Sequence, residues 1–182
     1  MKLSAKLICY HLQKSFPLHT SRLDTFPTLS CPSCFEKSMP LQDGRVYLIT
    51  DPDFQPTFHH PKNILFLMIG KAYQNYELSQ PNMCIIPEDL PVNTVFNKLQ
   101  DIFILYDQWN QSLMDSRLRN ASIQELLDLT TSIIPNPMML IGMDFTIIAS
   151  RGWDLGDLSN SVLGSSENSW DIVDSLKQDP HY

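Results

Sequence analysis

Glycine is scarce in this sequence, with 6 residues among 182. Loops that cradle nucleotide phosphates are built from glycine-rich patterns, and Gly70-Lys71, which follows a predicted strand, lacks such a pattern. The G-x-S-x-G motif of hydrolases and the H-E-x-x-H motif of zinc peptidases are also missing. The sequence therefore predicts no catalytic residue, cofactor or metal, and we expect a protein that is not an enzyme.

Basic residues are too few and too scattered for a nucleic-acid surface. Lys and Arg number 13 against 20 Asp and Glu, a net charge of −7, whereas phosphate binding needs a concentrated basic patch. The longest apolar run, Ile64–Ile69, is too short to span a bilayer, and Lys6, His11 and Lys14 interrupt any secretory signal core. We expect a cytoplasmic protein without a membrane partner and with reduced thiols.

One pair of cysteines is closely spaced, Cys31 and Cys34, and His59 and His60 lie downstream. These residue types bind zinc, but a zinc finger needs two halves at restricted spacing, and adjacent histidines rarely aim at one ion. Cys9 and Cys84 lie on apolar faces and are predicted core residues. The cysteines therefore predict no metal site.

Apolar patterns predict an N-terminal α/β module over residues 1–91. An amphipathic helix over 3–16 ends at a proline, and coil is predicted from there to Pro40. The predicted strands are 46–50, 63–69 and 83–86, with a short helix over 71–79. The apolar residues of the last two strands are consecutive, which is typical of a parallel sheet covered on both faces. The fold class is therefore α/β, a small two- or three-layer domain with a mainly parallel sheet.

Residues 92–120 are predicted to form a long amphipathic linker helix, because apolar residues recur at alternating spacings of three and four. The first half, around Val95, is expected to pack on the strands. The second half is expected to meet a second subunit or a further domain. The predicted dimer interface consists of Leu99, Ile102, Tyr106, Trp109 and Leu113.

Residues 121–182 are predicted to begin a second domain. Ser122 and Glu125 have the spacing of a capping box, and two strands, 138–141 and 145–149, are expected to form a hairpin across Gly142-Met143-Asp144. The following residues are mostly polar, with Trp153, Leu163, Trp170 and Ile172 isolated among them. One helix and one hairpin are too little to enclose a core, so we expect this domain to be incomplete.

Acidic residues follow two of the predicted strands: Asp51 and Asp53 the first, and Glu88 and Asp89 the third. Ligands of open α/β sheets bind at the carboxyl edge of parallel strands. These four residues are therefore candidate ligand-binding residues for a cation or a polar metabolite. The alternative interpretation is that they are solvated loop residues.

Three stretches carry a resemblance to a known family: Leu41-Gln42-Asp43-Gly44-Arg45-Val46-Tyr47-Leu48-Ile49-Thr50, then Phe96-Asn97-Lys98-Leu99-Gln100-Asp101-Ile102-Phe103 to Trp109, then Ser122-Ile123-Gln124-Glu125-Leu126-Leu127-Asp128-Leu129 through Asn136-Pro137 to Asp144 and Ser150. Together they resemble the N-terminal region of bacterial PucR/CdaR-like transcriptional regulators. The resemblance implies an α/β module, a helical linker and a GAF- or PAS-like sensory region. It implies DNA contact only through a C-terminal helix-turn-helix domain, and no part of this chain matches that motif.

The resemblance implies the regulatory region of a bacterial transcriptional regulator, a homodimer with a small-molecule effector. The long helix would pass a ligand-dependent change to an output domain. Two alternatives stay open. One is a small α/β enzyme, or a metabolite- or metal-binding protein, that uses the acidic edge. The other is a protein-interaction module in which the long helix is the whole function.

Overall fold

The computed structural model describes residues 1–54, 63–78, 80–142 and 147–152. The chain folds into two compact units, Met1–Asn110 and Gln111–Tyr182. Helix α2 (Val92–Leu118) begins in the first unit and ends in the second. The long helix predicted over 92–120 is thus confirmed, and the boundary between the units lies inside it.

A 5-stranded sheet with the strand order β1-β5-β4-β3-β2 forms the centre of the first unit. The strands are β1 (His19–Thr20), β2 (Cys31–Cys34), β3 (Arg45–Ile49), β4 (Ile64–Ile69) and β5 (Met83–Ile86). Strands β2 to β5 are parallel, and β1 is antiparallel to β5. The predicted α/β class with a mainly parallel sheet is confirmed, and the three predicted strands correspond to β3, β4 and β5.

The two edge strands, β1 and β2, lie where the sequence predicts coil, so that prediction is wrong there. Strand β2 contains Pro32 and is only partly buried. Proline has no N–H to donate, but an edge strand tolerates it because one side of the strand needs no partner. Strand β1 is a single pair of exposed residues. Neither strand has the apolar run by which the central strands are recognised.

The central strands are covered on both faces, and every residue of β4 is buried. On one face Tyr47, Phe66 and Met68 form a core cluster with Phe54 and Tyr73, which come from the segments that follow β3 and β4. The opposite face carries Cys84, which contacts Cys9 of helix α1 (Ala5–Leu12). We call these the loop face and the helix face.

The helix layer joins α1 to the first part of α2. Ser4 caps α1, since its Oγ accepts a hydrogen bond from the Leu7 N–H at 3.2 Å. His11 Nε2 and the Tyr106 hydroxyl are hydrogen-bonded at 2.9 Å, and the amino group of Met1 pairs with Asp107. The segment that contains α1 thus contacts both the sheet and α2.

The burial of His11 beside Tyr106 predicts a pH dependence of stability. Burial first, then the charges of Lys14 and Lys98, hold the pKa of His11 below its usual value. The unfolded state therefore binds more protons, and the free energy of unfolding falls as the pH drops from about 6.5 through the folded-state pKa. His11→Gln is expected to flatten this fall, measured by urea unfolding at about pH 7 and pH 5.

A matched control for this prediction is His19→Gln, because His19 is exposed on β1. It is expected to keep the pH dependence of the parent chain. An unchanged pH dependence in His11→Gln would show that another group is responsible.

The segment after β4 is a single turn of 3-10 helix, Lys71–Tyr73, rather than the short helix predicted over 71–79. Gly70 has a φ of +128°, a backbone conformation that is accessible chiefly to glycine. It reverses the chain directly after β4, and the buried ring of Tyr73 follows on the loop face.

In the second unit, α3 (Ile123–Leu129) begins with the predicted capping box: Ser122 Oγ accepts from the Glu125 N–H at 3.2 Å, and Glu125 Oε2 accepts from the Ser122 N–H at 2.7 Å. Strands β6 (Met138–Ile141) and β7 (Ile147–Arg151) form the predicted antiparallel pair. The predicted turn residues Met143 and Asp144, and the tail with Trp153, Leu163, Trp170 and Ile172, lie outside the described residues.

Helix α3 contains no buried residue, and several apolar side chains of β6 and β7 are exposed: Leu140, Ile141, Ile147 and Ile148. That this unit is an incomplete domain stays a prediction. Its GAF- or PAS-like character stays a prediction. No helix in the described residues combines the length and the apolar character needed to cross a membrane.

Candidate functional site

The predicted acidic residues lie at the carboxyl edge of the sheet, where β3, β4 and β5 end. Asp51 and Asp53 follow β3, and Glu88 and Asp89 follow β5. Strand β4 lies between these two strands, so the segment that starts at Lys71 separates the two acidic pairs. The parallel topology therefore places all four carboxylates at one edge but in two groups.

Asp89 is bound to the segment after β4. Its Oδ1 accepts from the Lys71 N–H at 2.9 Å, and its Oδ2 lies 3.6 Å from Lys71 Nζ. A Cβ at Gly70 would lie 3.4 Å from Asp89 Oδ1, an ordinary contact distance, so the positive φ and not lack of space favours glycine here. Glu88 is exposed beside it. Asp89 thus closes the turn after β4.

Asp51 is bound to a lysine from the segment after β2. Lys37 Nζ lies 2.7 Å from Asp51 Oδ2, and the Asp53 N–H donates to Asp51 Oδ1 at 3.1 Å. The hydrogen bond from Lys37, followed by that from Asp53, lowers the pKa of Asp51. The same contact with Asp51 raises the pKa of Lys37. Asp51 is therefore an ionised, paired carboxylate, while Asp53 is exposed.

Tyr73 links the segment that follows β4 to the segment that follows β3. Its ring is buried in the core cluster of the loop face, and its hydroxyl donates to the carbonyl oxygen of Asp51. Burial, and then the charge of Asp51, raise the pKa of Tyr73 to about 12. Tyr73 therefore stays protonated at neutral pH and fixes the chain after β3 against the chain after β4.

Two of the four carboxylates at the carboxyl edge are neutralised by lysines. Asp51 and Asp89 each have a lysine partner. Within the described ranges no three or more His, Cys, Asp and Glu side chains are grouped to hold a metal ion. This edge offers two ion pairs to a ligand, so a polar metabolite fits its chemistry better than a bare cation.

A cleft of about 350 Å³ opens at the opposite, amino edge of β5, where sequence reasoning placed no site. Arg22, Asp24, Leu78, Gln80 and Pro81 line it; we call it the Arg22 cleft. Its volume falls within the range typical of small-molecule sites, about 300–1,000 Å³. Guanidinium, carboxylate and amide groups beside an apolar wall are a suitable set for a small polar metabolite.

Asn82 holds Arg22 and Asp24, two of the residues that line the Arg22 cleft. Its side chain donates to Asp24 Oδ2 at 2.6 Å and accepts from the Asp24 N–H at 2.8 Å. Its own N–H donates to the Arg22 carbonyl at 2.9 Å. Asn82 is buried and has a φ of +57°, a left-handed conformation that asparagine tolerates better than most residues. The positive φ has no clear sequence signal beyond the Pro81-Asn82 turn.

A second, smaller cleft of about 210 Å³ lies on the loop face beside β2 and β3. Arg45 lines it, and its guanidinium donates to Cys31 Sγ, to Ser33 Oγ at 3.3 Å and to Gln42 Oε1 at 3.0 Å. These bonds hold Arg45 in place but also occupy it. Sequence reasoning missed this cleft because β2 was predicted to be coil.

Cys31 and Cys34 lie on β2 and pair with different residues of β3. Residues three apart on a strand point to opposite faces and are about 10 Å apart along it. The two thiols therefore do not converge on one ion or form a disulfide with each other. His59 and His60, the other residues of that motif, lie outside the described residues.

The predicted dimer interface needs a correction. Leu99, Ile102 and Tyr106 are 0%, 3% and 3% exposed within the single chain. Their side chains form part of the core of the first unit, so a second subunit has no access to them. Trp109 and Leu113 are half-buried. The apolar periodicity of α2 thus identifies its internal face.

The indole nitrogen of Trp109 is in an unusual environment. Its ring packs edge-on against Tyr106, with centroids 6.4 Å apart. Its Nε1–H is buried and has no acceptor among the residues that the structure describes. The large exposed apolar side chains of α2 are Ile104, Met114 and Leu118, so an intermolecular surface on this helix would use those rather than the predicted seam.

Comparison of the sequence with protein-family models and with curated proteins finds no match. Comparison with solved structures likewise finds none. The candidate site is therefore described by its own geometry.

Proposed function

We propose that this chain is the N-terminal regulatory region of a bacterial cytoplasmic transcriptional regulator of the PucR/CdaR-like type. In this role it binds a small effector and neither catalyses a reaction nor contacts DNA itself. The observation that carries the proposal is α2, a single helix of 27 residues that is part of the α/β core at its start and part of the second unit at its end. Such a helix is a suitable connector between a sensing unit and an output.

The buried face of α2 supports this role. Val95, Leu99 and Ile102 are almost fully buried in the first unit, and α1 is hydrogen-bonded to α2 through His11 and Tyr106. A ligand that changes the packing of the α/β unit therefore changes the environment of α2. Population shift requires that the ligand bind two arrangements of this unit with different affinities.

We place the effector in the Arg22 cleft. Arg22 offers N–H donors for a carboxylate or carbonyl group, and Asp24 offers acceptor oxygens for an N–H or O–H group. Asp24 is positioned by Asn82, so the acceptor is preorganised. Purines, ureides and sugar acids all carry such donor and acceptor groups.

The test is a thermal-shift and urea-unfolding screen of the full chain against purines, ureides, sugar acids and divalent cations. A ligand at 100 times its Kd is expected to stabilise the fold by ~2.7 kcal/mol. Arg22→Ala should remove this gain, whereas the control Lys71→Ala, at the carboxyl edge, should keep it. Failure of every compound to stabilise the chain would contradict the proposed sensing role.

The same screen separates the alternative function at the carboxyl edge. Stabilisation by a divalent cation that is lost in Asp51→Asn and kept in Arg22→Ala would favour a metal-binding protein. We expect instead that the stabilisation is kept in Asp51→Asn and lost in Arg22→Ala, because Lys37 already neutralises Asp51.

We further propose that the chain is a homodimer that associates through the later part of α2. Met114 and Leu118 are 54% and 82% exposed there, beside the half-buried Leu113. Light scattering is expected to give twice the 20.9 kDa of one chain. Leu118→Glu should give the single-chain mass, because a charge in an apolar contact is costly.

The matched control is Gln108→Glu, which adds the same charge at an exposed position of α2. It is expected to remain a dimer. A parent chain of single-chain mass at high micromolar concentration would refute dimerisation without affecting the effector proposal.

A further inference from the structure

Two thiols meet in the interior of the first unit. Cys9 Sγ and Cys84 Sγ are 2.8 Å apart, and the residues are 2% and 0% exposed. Cys9 lies on the inner face of α1, and Cys84 lies on the helix face of β5. Both side chains already point at each other, so a covalent bond between them requires only a small movement of the sulfur atoms.

We propose that Cys9 and Cys84 form a redox modification site, in which hydrogen peroxide converts the thiol pair into an intrachain disulfide. This inference does not depend on the proposed regulatory function. Reducing compartments keep protein thiols free, and disulfides that form there are typically transient and redox-sensing.

The chemistry balances with one peroxide. The sulfur of Cys9 attacks one oxygen of hydrogen peroxide, so that an S–O bond forms and the O–O bond breaks. This step gives a sulfenic acid at Cys9 and one water. The sulfur of Cys84 then attacks Cys9 Sγ, forming the S–S bond and releasing the oxygen as a second water. The two thiols lose two electrons and two protons in total, which reduce the peroxide.

The positions of α1 and β5 in the fold determine which sulfur is oxidised first. Helix α1 has 8 residues and an exposed outer side with Lys6 and Tyr10, and proteins open locally in units of this kind below the free energy of global unfolding. Strand β5 lies inside the sheet between β1 and β4 and stays in place. Opening of α1 therefore exposes Cys9, and Cys84 acts as the resolving thiol when α1 closes.

The contact between the two sulfurs affects how fast they react. The hydrogen bond with Cys9, followed by burial, raises the pKa of Cys84 well above its ordinary value. A protonated thiol is a weak nucleophile, so Cys84 attacks the oxidised Cys9 more slowly at low pH. The overall reaction is expected to accelerate as the pH rises.

A disulfide here would fasten α1 to the centre of the sheet. The two residues are 75 positions apart, and crosslinks across long loops restrict the unfolded chain strongly. Helix α1 also holds α2 through His11 and Tyr106. The oxidised chain is therefore expected to be more stable and to hold α2 more firmly against the first unit.

The test uses the full chain with Cys31→Ser and Cys34→Ser, because the other two cysteines in the sequence are then Cys9 and Cys84. Serine at position 31 keeps an acceptor for Arg45. The reduced protein is treated with hydrogen peroxide, unfolded, alkylated and weighed by mass spectrometry. We expect both thiols to escape alkylation together, with the loss of two hydrogens and a linked peptide pair in a non-reducing digest.

Two other results would overturn the proposal. One is alkylation of the thiols to the same extent as before treatment, and the other is a mass increase by oxygen atoms, as in sulfinic acids.

A second measurement does not depend on chemical labelling. The melting temperature of the oxidised double variant is expected to rise by roughly 10 °C and to return after treatment with a thiol reductant. An unchanged melting temperature would contradict the crosslink.

Discussion

Leu99→Ala is expected to lower the free energy of unfolding by about 2–5 kcal/mol, the range for truncating a buried leucine. Leu99 is 0% exposed on the inner face of α2, between Val95 and Ile102. Alanine would remove the apolar contacts and leave a cavity that the neighbouring strands and helices cannot fully close. Urea unfolding followed by circular dichroism measures the loss.

The matched control is Ile104→Ala on the same helix, because Ile104 is 50% exposed. It is expected to change the stability by less than about 0.5–1 kcal/mol. If Leu99 were part of a subunit interface instead, Leu99→Ala would change the mass in light scattering and leave the stability of the single chain unaffected. That result would overturn the assignment of this face to the core.

The central strands could be predicted from the sequence because their signal is local. Strands β4 and β5 are uninterrupted apolar runs, and burial on both faces of a parallel sheet requires such runs. Strand β2 has no such run, since it is held at the edge by pairing with β3, a contact that no local pattern reveals. Local patterns therefore predict the inside of this sheet and miss its edges.

For the long helix α2, too, the local sequence pattern predicts only part of the structure. Its apolar periodicity correctly predicts an amphipathic helix, but periodicity does not indicate which partner covers the apolar face. One partner of this face, the Tyr106 hydroxyl's hydrogen bond to His11, comes from a residue far away in the sequence. Whether the core or a second subunit covers Leu99 and Ile102 depends on such long-range contacts, and apolar periodicity alone does not reveal them.

The sequence predicted where the acidic residues lie in the sheet but not which residues they contact. The rule for parallel strands placed Asp51 and Asp89 at one edge, which the topology bears out. Their lysine partners Lys37 and Lys71 come from other segments, and they turn an apparent acidic cluster into ion pairs. The Arg22 cleft was missed because its lining residues come from two distant segments, around β1 and before β5.

Asn82→Ala is expected to destabilise the chain by about 3 kcal/mol, from two separate causes. The first is the loss of both hydrogen bonds to Asp24, which leaves a carboxylate and an N–H without their partner. The bond to the Asp24 carboxylate is the stronger of the two, and a hydrogen bond to a charged group contributes about 1.5–3 kcal/mol, with the lower end applying here because Asp24 is exposed. The second cause is the φ of +57°, because alanine in the left-handed region costs about 1–2 kcal/mol.

Asn82→Gly separates the two causes, because glycine adopts this φ freely but has no side chain to bond Asp24. It is expected to be about 1 kcal/mol more stable than Asn82→Ala, and still less stable than the parent chain. Both variants should also weaken the response to any ligand of the Arg22 cleft, since Asp24 is then no longer held in place. Equal stability of the two variants would show that the backbone at this position relaxes. A full ligand response in both would place the effector elsewhere, because the cleft cannot keep its acceptor positioned without Asn82.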